Sequence, residues 1–343
     1  MTLRLNVDAD AWRSHHRSLL EQVPGLVPVA KGNGYGFGLE NCAREAVALG
    51  VDAIAVGTAH EVLPVRLAGW SRDVVVLNPW RPADPLATSL LEDEHVISTV
   101  SRTRDLDQLR QSHQRARIIL ELDTTMHRHG LRAADLDHVV TAGLALEGWA
   151  VHLPANGSLE EATALARAAL AHQHAPVWVS HLSVADYAAF STEMPVETRM
   201  RVGTRLWLGA PEVLATTATV LDVHPVKRGD RLGYHQARAP RDGFIVVTSG
   251  GTAHGIALAA PVPQRSLRQR INTIADGVMR AAGNALSPFT VGGRKRPFAE
   301  PPHMHSSMLF VAGRRPRVEV GDEVPVTCRM TTTRFDEVVL GQR

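Results

Sequence analysis

The chain has 343 residues, enough for about two domains at the usual size of roughly 150 residues each and enough to bury a substantial core. Hydrophobic residues at 44 % and charged residues at 21 % exclude disorder, and no apolar run approaches the roughly 18 residues a membrane span needs. A formal net charge of +2 gives no footprint for nucleic acid, although Arg294, Lys295 and Arg296 with Arg314, Arg315 and Arg317 make the late chain locally basic.

The first ten residues carry acidic side chains where a signal peptide would be apolar, so a cytoplasmic protein is expected. From position 26 to about 208, short apolar stretches alternate with longer Ala-rich amphipathic ones. Strands are predicted over 27–30, 53–56, 73–77, 96–100, 118–122, 148–152, 177–181 and 205–208, with helices such as 40–49 and 159–173 between them. Eight parallel strands separated by helices are the arithmetic of a (β/α)₈ barrel, whose reactive groups come from the carboxyl ends of its strands. After about Ala210 the texture changes. Apolar stretches at 220–224, 244–248, 308–311 and 337–340 alternate with Gly, Pro and Arg clusters, and Gly229-Asp230 and Gly321-Asp322 each mark a turn, as in an all-β second domain. The expected fold is therefore α/β, a TIM-type barrel over 1–215 followed by a β domain over 216–343.

Cys42 and Cys328 sit in no metal or redox spacing and read as packing residues. Lysine is scarce: only Lys31, Lys227 and Lys295 occur, so arginine supplies almost all positive charge. Lys31 ends the first predicted barrel strand, in Val27-Pro-Val-Ala-Lys31-Gly-Asn-Gly-Tyr35-Gly-Phe-Gly38. An amine at the edge of a buried core loses hydration and its pKa falls, which suits Schiff-base chemistry, and the glycines allow a ligand close to the backbone. The spacing matches neither the dinucleotide nor the P-loop glycine pattern, and by spacing alone a surface lysine before a flexible turn is the plainer alternative.

The same segment resembles the lysine motif of the alanine racemase family, A-K-A-N-A-Y-G-H-G, and three further segments match that family in order. Asp123-Thr-Thr-Met126-His-Arg128-His-Gly130 resembles D-T-G-M-x-R-x-G, Arg201-Val-Gly203-Thr204 resembles R-P-G-I, and Val226-Lys-Arg-Gly229-Asp-Arg-Leu-Gly233-Tyr234 resembles the G-D-x-V-G-Y opening of the family's β domain. The resemblance implies a pyridoxal 5'-phosphate barrel followed by a β domain, assembled as a head-to-tail homodimer acting on a small amino acid, with neither nucleic acid nor membrane as partner.

By that resemblance Lys31 would carry the cofactor as an internal aldimine and serve as one acid/base group. Tyr35, Gly203 and Thr204 would bind the phosphate, with Ser183 a further candidate, although the family's serine falls closer to Ala185. Arg201 would face the pyridine nitrogen with His152 beside it. Arg128 would meet the cofactor's phenolic oxygen and the substrate carboxylate, backed by Glu121 where many members carry a carbamylated lysine; an ordinary ion pair is the alternative.

The sequence also departs from the family. Its catalytic tyrosine, in G-Y-A-D-G, is replaced in Gly251-Thr252-Ala253-His254-Gly255, and its C-M-D substrate loop reads His303-Met304-His305. Thr252 stands where the tyrosine would be. His254 is the proposed second acid/base group, with His305 as a lesser candidate, and Met304 borders the substrate; no metal is expected. Three functions follow: a racemase, a cofactor-binding relative with altered or lost racemisation, and a barrel that binds an acidic small molecule with Lys31 unmodified.

Overall fold

A computed structural model of the chain describes residues 2–258 and 285–341. The chain divides into two compact units, one of residues 13–210 and the other of residues 1–12 with 211–343.

The first unit holds, among the described residues, eight parallel strands: β2 (Leu26–Pro28), β3 (Ala53–Val56), β4 (Asp73–Val76), β5 (Val96–Val100), β6 (Arg117–Leu122), β7 (Ala145–His152), β8 (Val177–Ser180) and β9 (Thr198–Val202). Consecutive strands from β3 to β9 pair in parallel, β9 pairs with β2, and the bridge between Val29 and Ala55 closes the ring. Val27, Val29, Ala55, Val75, Ile97, Ile119 and Trp178 pack into one buried cluster, so the barrel interior is filled. Helix α1 (Ala9–Gln22) precedes β2, and helices α2 (Leu39–Leu49), α3 (Val62–Leu67), α4 (Pro85–Ser89), α5 (Thr103–Ser112), α6 (Leu159–His172), α7 (Val184–Glu193) and α8 (Thr204–Leu208) follow strands in turn, with a short 3₁₀ helix (Ala133–His138) in place of an α-helix between β6 and β7. The amphipathic spacing of α6 buries Ala162, Ala166, Ala169 and Leu170 on one face, and Ser158 caps its start by accepting the Glu161 N–H.

The eighth strand differs from the expectation. Residues 205–208 form part of α8, with Leu206 and Trp207 buried, and the strand lies upstream as β9. A short apolar run has no period that separates one helical turn from a strand, while Arg199 and Arg201 disguised the true strand as polar.

The second unit is β-rich. Its main sheet runs in the order β16 (Ser306–Ala312), β13 (Gly243–Ser249), β10 (Leu214–Val226), β1 (Leu3–Asp8), β18 (Glu337–Gly341), with β17 (Glu323–Pro325) also on β10. Two short hairpins, β11 (Arg231–Leu232) with β12 (Ala237–Arg238) and β14 (Leu286–Val291) with β15 (Arg294–Pro297), complete the strands among the described residues. Leu3, Val220, Val246, Phe289, Leu309 and Val324 belong to one buried core. Strand β1 was absent from the sequence-based expectation. It pairs antiparallel with β10 and parallel with β18, so the first residues join the β unit rather than the barrel, and its strict in-out alternation over Leu3–Asp8 is the signal that marks it. No helix among the described residues is long and apolar enough to cross a membrane.

Candidate active site

The carboxyl ends of the barrel strands carry a cluster of cations and their partners. Lys31 follows β2, and three effects push its amine pKa below that of a free lysine: burial first, then the Arg128 and Arg201 guanidiniums; Glu61 opposes them. Arg201 lies on β9, paired in register with Val27 of β2 and Ser180 of β8, and is almost wholly buried. Its Nη2 donates to the carbonyls of Val151 (3.1 Å) and Trp178 (3.4 Å), while its Nε is buried without a hydrogen-bond partner among the described residues. Burial lowers its pKa to about 10, so the guanidinium stays charged at neutral pH.

Tyr35 sits in the glycine-rich loop with a left-handed φ of 56°, and burial raises its phenol to about 12, which keeps it protonated and able to donate. A Cβ at Gly203 would collide with the Tyr35 hydroxyl, so the two loops meet at a point where only glycine fits. Gly203 precedes α8 and its carbonyl accepts the N–H groups of Leu206 and Trp207 at 3.0 Å each, which leaves Thr204 in the first turn with an N–H outside the intrahelical pattern.

Glu121, near the end of β6, is buried, and its Oε1 lies 3.7 Å from the half-exposed Arg128. Its Oε2 is buried with no hydrogen-bond partner among the described residues. The loop carrying Arg128 is fixed at its base, where Asp123 donates to Leu131 (2.9 Å) and Leu131 to Glu121 (2.7 Å). It borders a cavity of about 400 Å³ lined by Arg102, Arg128 and His129 among others. His152 closes β7 with its Nδ1 2.8 Å from the Ser180 hydroxyl, and its ring stands 5.2 Å from that of His181. Burial, then Arg201 and Arg128, drive His152 down to about 2, so this imidazole is neutral. His181, lowered by burial and the same arginines, belongs to the same group of side chains.

Some expected residues have other work. Ser183 caps α7: its hydroxyl accepts the Asp186 N–H (3.0 Å) and donates to the Asp186 carboxylate (2.6 Å). His254, the expected second acid/base group, is buried in the β unit. Its Nδ1 accepts the Gly251 N–H at 3.2 Å and its Nε2 lies 3.1 Å from Asp336, so both ring nitrogens are committed. Thr252 is half-buried, with its N–H donated to the His303 carbonyl (2.9 Å). His303 is held through Nε2 by the buried Glu300 carboxylate at 2.7 Å, whereas Met304 and His305 are exposed.

The sequence profile described as "Alanine racemase, N-terminal domain" matches residues 7–211. The chain belongs to the alanine racemase family. Over 300 residues it is 26 % identical to alanine racemase of Corynebacterium efficiens, covering 79 % of each chain, and over 351 residues it is 25 % identical to alanine racemase of Mycobacterium avium, covering 92 % of this chain and 83 % of that one. Among solved structures, the alanine racemase of Bartonella henselae with covalently bound pyridoxal phosphate superposes with a TM-score of 0.72 at 17 % identity, covering 99 % of this chain and 100 % of that one. The E. faecalis enzyme gives 0.68 at 21 %, covering 94 % and 88 %. The family's barrel and following β region are thus the architecture of this chain.

Glu61 is the site residue that the sequence reading missed. It ends the segment Thr58-Ala-His-Glu61, whose spacing is that of a capping box, and that spacing was the available signal.

Proposed function

We propose that this chain is a pyridoxal-phosphate-dependent amino-acid racemase of the cytoplasm, interconverting the enantiomers of alanine or a similarly small amino acid as a homodimer with shared sites. The observation that carries it is Lys31: a partly desolvated amine at the mouth of a barrel, its pKa lowered by that desolvation and by the charges of Arg128 and Arg201. The residues present fit the cofactor. Arg201 Nε is a buried donor without a partner among the described residues, Tyr35 is a protonated phenol against Gly203, and Thr204 opens a helical turn beside them. Bound there, the cofactor would serve as an electron sink that makes the Cα–H of an attached amino acid removable.

Lys31 would hold the cofactor and, when released by the substrate, take or return a proton on one face of Cα. Tyr35 and the N–H groups of Gly203 and Thr204 would bind the phosphate; Ser183 would join them only by leaving Asp186. Arg201 would donate a hydrogen bond to the ring nitrogen without giving up a proton, which limits electron withdrawal and favours return of the proton to Cα. Neutral His152 adds no charge beside that arginine. Arg128, tethered by Glu121, would receive the substrate carboxylate. The opposite face needs its own proton donor. Thr252 is too weak an acid, and His254 is committed to Asp336, which leaves exposed His305 beside it, with Met304 bordering the substrate.

A second reading, a cofactor-binding relative that does not invert its substrate, is favoured by the same two facts: no phenol at position 252 and a His254 held on both sides. Incubation with pyridoxal phosphate, borohydride reduction and mapping of the label test for attachment at Lys31. Separate measurement of inversion and of α-proton exchange with solvent deuterium, for both alanine enantiomers, then decides between the readings. Exchange without inversion selects the second; no label at saturating cofactor rejects both.

A further inference from the structure

The loops that carry Lys31 are tied together by one carboxylate. Glu61 Oε1 accepts the Gly32 N–H at 2.8 Å, and its Oε2 accepts those of Gly57 (2.5 Å) and Thr58 (3.2 Å). Gly32 is the residue after Lys31, and Gly57 is the residue after β3, so the bonds join the two loops directly above the Val29–Ala55 bridge that closes the barrel. A Cβ at Gly57 would stand 3.2 Å from Lys31 Cβ and 2.9 Å from Glu61 Oε2. The lysine stem, the glycine backbone and the carboxylate therefore pack against one another with no room for a side chain between them.

The charges converge at the same place. The titratable and charged groups acting on or under the influence of Lys31 are Arg128, Arg201, His152, His181 and Glu61. The two guanidiniums repel an ammonium at Lys31, both imidazoles are held toward their neutral forms, and Glu61 is the anion among them. We propose that Glu61 is a positioning residue for Lys31: it clamps the loops after β2 and β3 so that the amine is aimed into the barrel mouth, and its charge lets that amine keep a proton in a field of arginines. Both halves are properties of the protein without cofactor. Their consequence for proton transfer rests on the racemase reading.

With three lysines in the chain, reductive ¹³C-methylation gives a small set of lysine signals, which Lys→Arg variants assign and NMR follows through a pH titration. In cofactor-free protein, Glu61→Gln is expected to weaken proton binding at Lys31 by about three- to tenfold, the effect of removing one nearby opposite charge. Lys227 and Lys295 should titrate as in the wild type, which also reports that the fold is intact. Glu61→Asp keeps the charge on a shorter stem and should fall between the two; it serves also if Glu61→Gln does not fold. A Lys31 midpoint unchanged or raised in Glu61→Gln, or lower in Glu61→Asp than in Glu61→Gln, overturns the proposal. When pyridoxal phosphate is added, Glu61→Gln should slow its attachment at Lys31 by about tenfold at a pH where both proteins hold Lys31 as the free amine, as expected for a displaced nucleophile. A wild-type protein that never takes up cofactor rejects the proposed function, and the titration still decides whether the Glu61 charge acts on Lys31.

Discussion

Replacing His254 by alanine is expected to weaken the β unit, because this histidine holds a junction. Its Nδ1 accepts from Gly251, its Nε2 meets Asp336 Oδ1, and the other oxygen of Asp336 accepts the Leu3 N–H at 2.8 Å. The Asp336 N–H returns to the Leu3 carbonyl at 2.9 Å, so the 251–254 turn, the segment entering β18 and the start of β1 are fastened at one point. Two hydrogen bonds at about 1 kcal/mol each, one of them to a carboxylate, plus about 1–3 kcal/mol for a buried N–H left without an acceptor, sum to about 3–5 kcal/mol. Urea denaturation should show a lowered midpoint with an unchanged slope. Asp336→Asn alone should cost about 1–2 kcal/mol, and the double variant less than the sum of the two, since the two side chains share a bond. The pH dependence has a definite sign. The Leu3 N–H and His254 hold the Asp336 pKa below the ordinary carboxylate value against the opposing effect of burial. The stability it contributes is therefore present above the unfolded carboxylate range and is lost as pH falls through the lowered folded value. A His254→Ala protein as stable as wild type, but unable to invert alanine while still exchanging its α-proton, would refute the anchoring role and restore His254 as the second acid/base group.

Four other outcomes are expected. Lys31→Ala should lose the borohydride-fixed label while Lys227→Ala and Lys295→Ala retain it, as peptide mapping would show. Gly203→Ala drives a methyl group into the Tyr35 hydroxyl and should weaken cofactor binding by about tenfold or more in equilibrium dialysis, since overpacking costs about 1–3 kcal/mol; unchanged affinity would mean that the two loops can part freely. Glu121→Gln leaves Arg128 without its nearest carboxylate and should raise KM for alanine more than it lowers kcat, by about tenfold; an equal fall in both kcat and kcat/KM would instead assign it to the transition state. His16, fully buried against Trp207, is lowered to about 3 by burial first. The unfolded chain therefore takes up a proton that the native one refuses, and stability should fall below pH 6.5 at up to about 1.4 kcal/mol per pH unit from this group. His16→Asn should flatten that slope.

Much of the candidate site was legible in the sequence because the residues proposed to carry its chemistry break the local composition. A lysine stands out in a chain that uses arginine almost everywhere else, and a tyrosine between glycines at Gly34 and Gly36 stands out in a loop. What escaped was whatever depends on partners distant in sequence. Strand β1 is defined by β10 and β18, more than 200 residues away, and β9 is concealed by two arginines: Arg201, buried and donating to the Val151 and Trp178 carbonyls, and Arg199, partly exposed and stacked over the Trp178 ring. His254 looked available as a proton donor because nothing near it in sequence announces Asp336, 82 residues on. Glu61 was overlooked for the opposite reason. Its capping-box spacing explains it locally, as the residue that satisfies the Thr58 N–H, and that local account is correct as far as it goes. The same carboxylate reaches Gly32 on the adjacent barrel loop because β2 and β3 close the barrel side by side, a relation that exists only after eight strands have formed a ring. A helix cap at the carboxyl end of a barrel strand therefore stands where a site residue stands, and in this chain the two roles fall on one side chain.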